Sequence, residues 1–100
     1  MCGICGVVQS TPSPELPSLV EKMNSALVHR GPDGSGAHST ARSAIAMRRL
    51  AIIDLVTGDQ PIPDEDGRLW AMQNGEIYNY RELRTQLEKA GHRFRTASDT

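Results

Sequence analysis

The first apolar stretch of the chain, CGICGVV from Cys2 to Val8, is short and unbroken by charge. Its glycines let other backbone or a ligand come close, so it reads as a buried strand. After a turn holding Pro12 and Pro14, apolar residues recur at three- and four-residue spacing at Leu16, Leu19, Val20, Met23 and Leu27, the stripe of an amphipathic helix. Pro17 falls in its first turn, where a missing N–H is harmless. His29 and Arg30 suit the negative end of that helix, and Gly31-Pro32 stops it. From Gly34 to Asp54 the period shortens, and GSGAHST and SAIAMRRLAIID predict two strands with Ala41-Arg42 at the turn between them. Residues 56–67 are rich in Gly, Pro and Asp and predict a surface loop, with RLWAMQ as a further strand. Asn74-Gly75 signals a tight turn. Asn79 with Glu82 predicts a capping pair ahead of a helix whose face carries Tyr80, Leu83, Leu87 and Ala90 and which Gly91 ends. HRFRT predicts a short strand, and Ser98-Asp99-Thr100 has the form of a helix start. No internal repeat, low-complexity tract or linker divides the chain, so one domain with more strands than helices is expected.

Charge and composition narrow the partners. Lys and Arg number 11 against 12 Asp and Glu, a net charge of -1, which creates no field to recruit nucleic acid or an anionic membrane. Aromatic residues make up 4% of the chain, so the core must come from Ile, Leu, Val, Ala and Met, and no stacking platform for single-stranded nucleic acid is available. No apolar run reaches membrane-spanning length, and no basic segment precedes Ile4 to make a secretory signal. Cys2 and Cys5 stand too close together to staple a fold, which points to a reducing, cytoplasmic setting.

Cys2 follows the initiator Met directly, and that Met is usually removed before a small residue. The thiol and a free α-amino group would then belong to one residue. With an amine pKa of about 8, an appreciable fraction is uncharged near neutrality and able to take the thiol proton. On position alone Cys2 could equally be just a small residue after Met. A third role takes Cys2-Gly-Ile-Cys5 as a zinc or thiol-exchange pair, a metal or redox module. Zinc needs four ligands, however, and His29, His38 and His92 lack the close spacing of a His pair. A redox pair should follow a strand and open a helix. Cys5 is expected to be a buried core thiol.

MCGICGVV, HRGPDG, RRLAIIDL, NGEIYNY and SDT stand in the order and approximate spacing of the class-II glutamine amidotransferase domain, which the whole chain resembles. Within that family HRGPD, RLAIID and NGEIYN are most similar to asparagine synthetases of the glutamine-hydrolysing type. The resemblance implies an α+β fold, the four-layer αββα sandwich of antiparallel sheets of the N-terminal-nucleophile hydrolases. It also implies glutaminase chemistry. The N-terminal cysteine attacks the side-chain amide of glutamine, ammonia leaves for a tunnel to a second domain, and water hydrolyses the γ-glutamyl thioester. Carried over by motif, Cys2 is the nucleophile, and Asn74 and Gly75 form the oxyanion hole through a side-chain amide and a backbone N–H. Arg49, chosen over Arg48 because RLAIID sets the register, grips the substrate carboxylate. Asp99 holds its ammonium, Glu76 adds a polar contact, and Ile52 and Ile53 touch glutamine through backbone atoms. Arg30 and Asp33 are expected to order a loop near the site.

Family domains of this kind are roughly twice as long as this chain, so residues 1–100 are expected to be the N-terminal part of one, incomplete and inactive alone. Its C-terminal synthetase domain would bind ATP and magnesium and amidate aspartate. No glycine-rich phosphate loop occurs here, and no metal site or cofactor is expected within these residues. The expected partners are glutamine and that synthetase domain, and a homodimer of the full-length chain is compatible with the resemblance. The alternatives are the front domain of another amide-transferring ligase, acting on a peptide-like or β-lactam precursor, or an inactive fragment serving as a binding module.

Overall fold

The computed structural model describes residues 2–51 and 58–100. Its elements run β1 (Gly3–Val8), α1 (Leu16–Ser25), β2 (Gly34–Ser39), β3 (Ser43–Arg49), β4 (Ile62–Pro63), β5 (Trp70–Ala71) and α2 (Tyr80–Lys89). The first three strands form one antiparallel sheet in the order β1-β3-β2, and β4 and β5 form a second antiparallel pair. The result is an α+β unit of two antiparallel sheets and two helices. The expected strand over 43–54 is described as far as Arg49, and its far end, with Ile52 and Ile53, lies outside the described residues.

Strand β3 is bonded on both sides, and its period-2 alternation sends side chains to two faces, one covered by α1 and the other covered in part by the Gln60 segment. Ala44 and Ala46 turn toward α1, where Leu16 and Val20 pack on them and Cys5, Val7 and Met23 close the rim. The two alanines leave room for the helix to approach the sheet. The register sets Cys5 across from Ala46 and Val7 across from Ala44, so β1 contributes its own alternate residues to the same face. Cys5 is half-buried there, its Sγ 3.7 Å from the Ala46 carbonyl and 3.9 Å from that of Val20, and burial raises its thiol pKa above the ordinary value.

Met47 and Arg49 take the other face. Gly36 pairs with Met47 across the ladder, and the Gln60 carbonyl fills the space a side chain would need: a Cβ on Gly36 would lie 1.8 Å from that oxygen. Farther along β2 the His38 ring stacks on Trp70, centroids 3.8 Å apart, which fastens the β4–β5 pair to the edge of the larger sheet. Gly31 is likewise required by a close approach, since a Cβ there would stand 2.3 Å from the Arg48 carbonyl carbon.

Several expectations need correction. Helix α1 ends at Ser25, and turns of Leu27 N–H to Asn24 O and Arg30 N–H to Leu27 O carry the chain to Gly31. The strand expected over 68–73 shrinks to Trp70–Ala71, and its partner Ile62–Pro63 comes from the expected loop. Asn79 occupies the N-cap position without a side-chain cap bond, so the Asn79–Glu82 box does not form. Residues 92–96 form no strand. Glu65 accepts the Arg93 N–H at 2.7 Å and the His92 Nδ1 at 3.1 Å, while Arg84 lies over the Phe94 ring and donates to the Thr96 carbonyl, so side chains satisfy backbone that a ladder would have used. Those contacts hold the Glu65 carboxyl below its usual range, the Arg93 amide first among them. At Ser98–Thr100 the Thr96 and Ser98 hydroxyls accept from the Ser98 and Thr100 amides, forming side-chain-capped turns in place of a helix start.

Helix α2 buries none of its residues, and Val8 and Tyr78 are 80% and 91% exposed. Among the described residues no helix is long and apolar enough to cross a membrane. Met47→Ala removes a side chain with no exposure and is expected to lower stability by about 2–5 kcal/mol, read from the midpoint of urea unfolding of the full-length protein.

Candidate active site

The ladder that builds the sheet also builds one wall of a cleft. Gly3 pairs with Arg48, so extending the antiparallel register by one residue sets Cys2 opposite Arg49. The Cys2 thiol sits between two groups of one residue as β3 ends. The Leu50 N–H donates to Sγ at 3.3 Å, and the Leu50 carbonyl lies 3.6 Å from it. Cys5 follows Cys2 by three positions, an odd offset that on an extended chain sends the two to opposite faces. Cys2 lines the cleft while Cys5 packs under α1, so the pair cannot act as one Cys-x-x-Cys unit.

The same alternation separates the two arginines. Arg48 points to the α1 side and donates through Nε to the Gly31 carbonyl at 2.9 Å. Arg49 is 5% exposed, lines the cleft, and donates through Nη1 to Asp59 at 3.2 Å. A buried guanidinium needs such a partner. Gly34, across from Arg49 on β2, makes room for it: a Cβ there would come within 2.9 Å of the Asp59 carboxylate. The loop 30–33 straps this corner, with the Asp33 amide donating to the Arg49 carbonyl and the Asp33 carboxylate accepting from the Ala51 amide, both at 2.9 Å. Neither Arg30 nor Asp33 lines the cleft.

The opposite wall comes from two turns distant in sequence. Asn74 and Gly75 bend the chain between β5 and α2, so this is no hairpin between paired strands. Among the described glycines only Gly67 and Gly91 have positive φ, and a Cβ on Gly75 would meet its nearest atom at 3.4 Å, so neither φ nor a clash demands glycine there. Asp99 reaches this bend, its Oδ2 accepting from the Ile77 amide at 2.6 Å. A carboxylate has acceptor capacity beyond one bond.

Cys2, Arg49, Asn74, Gly75, Glu76 and Asp99 thus line one cleft of about 320 Å3, a volume at the small end for small-molecule sites. Ile52 and Ile53 lie outside the described residues. Sequence reasoning missed Leu50, Gln60, Gln73, Tyr78, Ser98 and Thr100, which complete the lining, and Asp59 behind Arg49. Leu50, Tyr78, Ser98 and Thr100 stand inside the motifs RRLAIIDL, NGEIYNY and SDT beside the residues chosen, whereas Gln60, Gln73 and Asp59 lie outside every motif and only the tertiary contacts reveal them.

A family model described as a glutamine amidotransferase domain matches residues 1–100. The chain belongs to that family. Relatives of this amidotransferase domain include the glutamine-hydrolyzing asparagine synthetase 1 of Bacillus subtilis (strain 168), 45% identical over 100% of this chain and 16% of its own length. The glutamine-hydrolyzing asparagine synthetase 2 of the same strain is 41% identical over 99% of this chain and 13% of its own length. The root enzyme of Pisum sativum, also a glutamine-hydrolyzing asparagine synthetase, is 45% identical over 99% of this chain and 17% of its length. The amidotransferase domain described here therefore spans less than a fifth of the length of these relatives.

Desolvation disfavours the Cys5 thiolate, the form that reacts. A small alkylating reagent near neutral pH is expected to modify Cys2 before Cys5, followed by peptide mass mapping. The reverse order would contradict the placement of the two thiols.

Proposed function

We propose that this chain is the glutamine-hydrolysing front part of a class-II amidotransferase, releasing ammonia from the glutamine side chain through a thioester on Cys2. The observation that carries this is the single cleft on which Cys2, Arg49, the Asn74–Gly75 bend and Asp99 converge. One cation, Arg49, and two carboxylates, Glu76 and Asp99, on its walls offer partners for both charges of a zwitterionic amino acid. Arg49 donates to the α-carboxylate, in the planar two-point fashion a guanidinium allows, and Asp99 accepts from the α-ammonium. Glu76 supplies a further polar contact, and Ile52 and Ile53 contribute backbone groups.

With Met1 removed, the Cys2 amine takes the thiol proton and Sγ adds to the side-chain amide carbon. The carbonyl oxygen becomes an oxyanion that the Asn74 side-chain amide and the Gly75 N–H stabilise. Collapse breaks the carbon–nitrogen bond, and the nitrogen leaves as ammonia with the proton held by the amine. Water then adds to the thioester carbonyl, the carbon–sulfur bond breaks, and glutamate departs with the thiol restored.

In the larger fold we place residues 1–100 at the start of the four-layer αββα sandwich, with α1 as an outer layer and the β1-β3-β2 sheet beneath it. Exposed apolar side chains such as Ile4 and Val8, on the sheet face away from α1, support a further layer there. The relatives' names favour asparagine synthesis, with the ammonia passing to a C-terminal domain that amidates aspartate using ATP and magnesium. The helix N-termini present do not fit the phosphates of ATP. No glycine-rich loop leads into either helix, α1 is preceded by Glu15, and α2 carries Glu82 in its first turn, where a phosphate would be repelled. Two free cysteines placed on opposite faces accord with a cytoplasmic location.

Ammonia release from glutamine by the full-length protein tests the assignment. Cys2→Ala should reduce it to background, and equal rates would overturn the proposal. Asn74→Ala should lower kcat by about 10²–10³-fold. Arg49→Lys should act mainly on KM, because an ammonium cannot reproduce the two-point grip. The intact mass of the active protein should lack Met1.

A further inference from the structure

Gln60 belongs to none of the motifs that suggest chemistry, yet it is 8% exposed and its side chain ties together the two turns that form the far wall of the cleft. Its Oε1 accepts the Gln73 backbone N–H at 2.5 Å, at the residue immediately before Asn74. Its Nε2 donates to the Thr100 hydroxyl at 2.7 Å, immediately after Asp99. The amide orientation follows from the chemistry. A backbone N–H only donates, so the oxygen must face Gln73, and the nitrogen is left for the hydroxyl. The main chain of Gln60 is itself seated on the larger sheet, its carbonyl filling the space above Gly36, while the preceding Asp59 holds Arg49. One short segment therefore touches the arginine, the residue before the bend and the residue after the acid.

Resting on the glutaminase reading above, we propose that Gln60 is a positioning residue that sets the distance between the oxyanion-stabilising bend at Asn74–Gly75 and the ammonium-binding Asp99. A glutamine bound by its α-ammonium at Asp99 must place its amide carbonyl at that bend. A fixed separation between the two turns selects a substrate of that length, and a loose one misplaces the carbonyl. Displacements on the order of 1 Å can cost about a hundredfold in rate. A side chain with an acceptor at one end and a donor at the other performs this link in a way no apolar residue of similar volume can.

The test uses steady-state glutaminase kinetics of the full-length protein with Gln60→Leu, Thr100→Val, Thr100→Ser and the Gln60→Leu/Thr100→Val double variant. Gln60→Leu should lower kcat/KM by about a hundredfold. Thr100→Val cuts only the link on the Asp99 side and should raise KM about tenfold, more than it lowers kcat, while Thr100→Ser, which keeps the hydroxyl, should recover most of that loss. The double variant should be no worse than Gln60→Leu alone, because both changes remove one connection. If Gln60→Leu fails to fold, the comparison of Thr100→Val with Thr100→Ser decides the matter at the same melting temperature. Kinetics of Gln60→Leu within about twofold of the parent, a Thr100→Val effect on melting temperature without one on KM, or additive losses in the double variant would each overturn the proposal. These failures require an active parent protein. A folded parent that releases no ammonia would overturn the glutaminase reading itself, and this proposal with it.

Discussion

Strand β3 carries a hydrogen-bonded neighbour on each side, and that double pairing is the constraint on which the rest of the structure depends. A strand so placed cannot slip by one residue without exchanging its two faces. With the register held, Ala44 and Ala46 lie under α1 while Met47 and Arg49 lie on the side of the Gln60 segment. The core and the cleft are thus two consequences of one alternation. The same pairing carries β1 and sets Cys2 beside Arg49, so no separate device is needed to bring a thiol and a buried cation to one edge of a cleft.

The far wall is made differently. Here there is little regular structure: β4 and β5 are two residues each, α2 buries nothing, and the chain from Ser98 to Thr100 is a set of turns. Side chains take over the task of backbone ladders. Gln60 reaches Gln73 and Thr100, Asp99 reaches Ile77, Glu65 gathers His92 and Arg93, and Arg84 spans to Thr96. One wall therefore rests on a cooperative sheet and the other on a few individually modest hydrogen bonds.

Legibility followed the same division. Helix α1 and strand β3 are visible in the sequence because each buries a three-to-four-spaced or alternating face, and β1 because it is a short apolar run. Of the two adjacent arginines, Arg49 lines the cleft while Arg48 bonds the Gly31 carbonyl. The expected strand at 92–96 and the capping pair at Asn79–Glu82 did not form, because side chains from other segments satisfied that backbone or no burial rewarded the local motif. Gly34, Gly36 and Gly31 were visible as glycines, but their reason, the approach of Asp59, Gln60 and the Arg48 backbone, was not.

From its residues alone the chain determined strands β1 to β3, the two helices, and the motifs NGEIYN, RLAIID and SDT on which its resemblance to the amidotransferase family rests. Those properties depend on neighbours within a few positions, where period and residue type carry the information. Tertiary structure alone decided that Asn74, Asp99 and Cys2 border one space, that the two cysteines face apart, and that Gln60 joins two turns. Such pairings cross tens of residues, and their free energy comes from contacts that exist only once the sheet has fixed the separation of its ends.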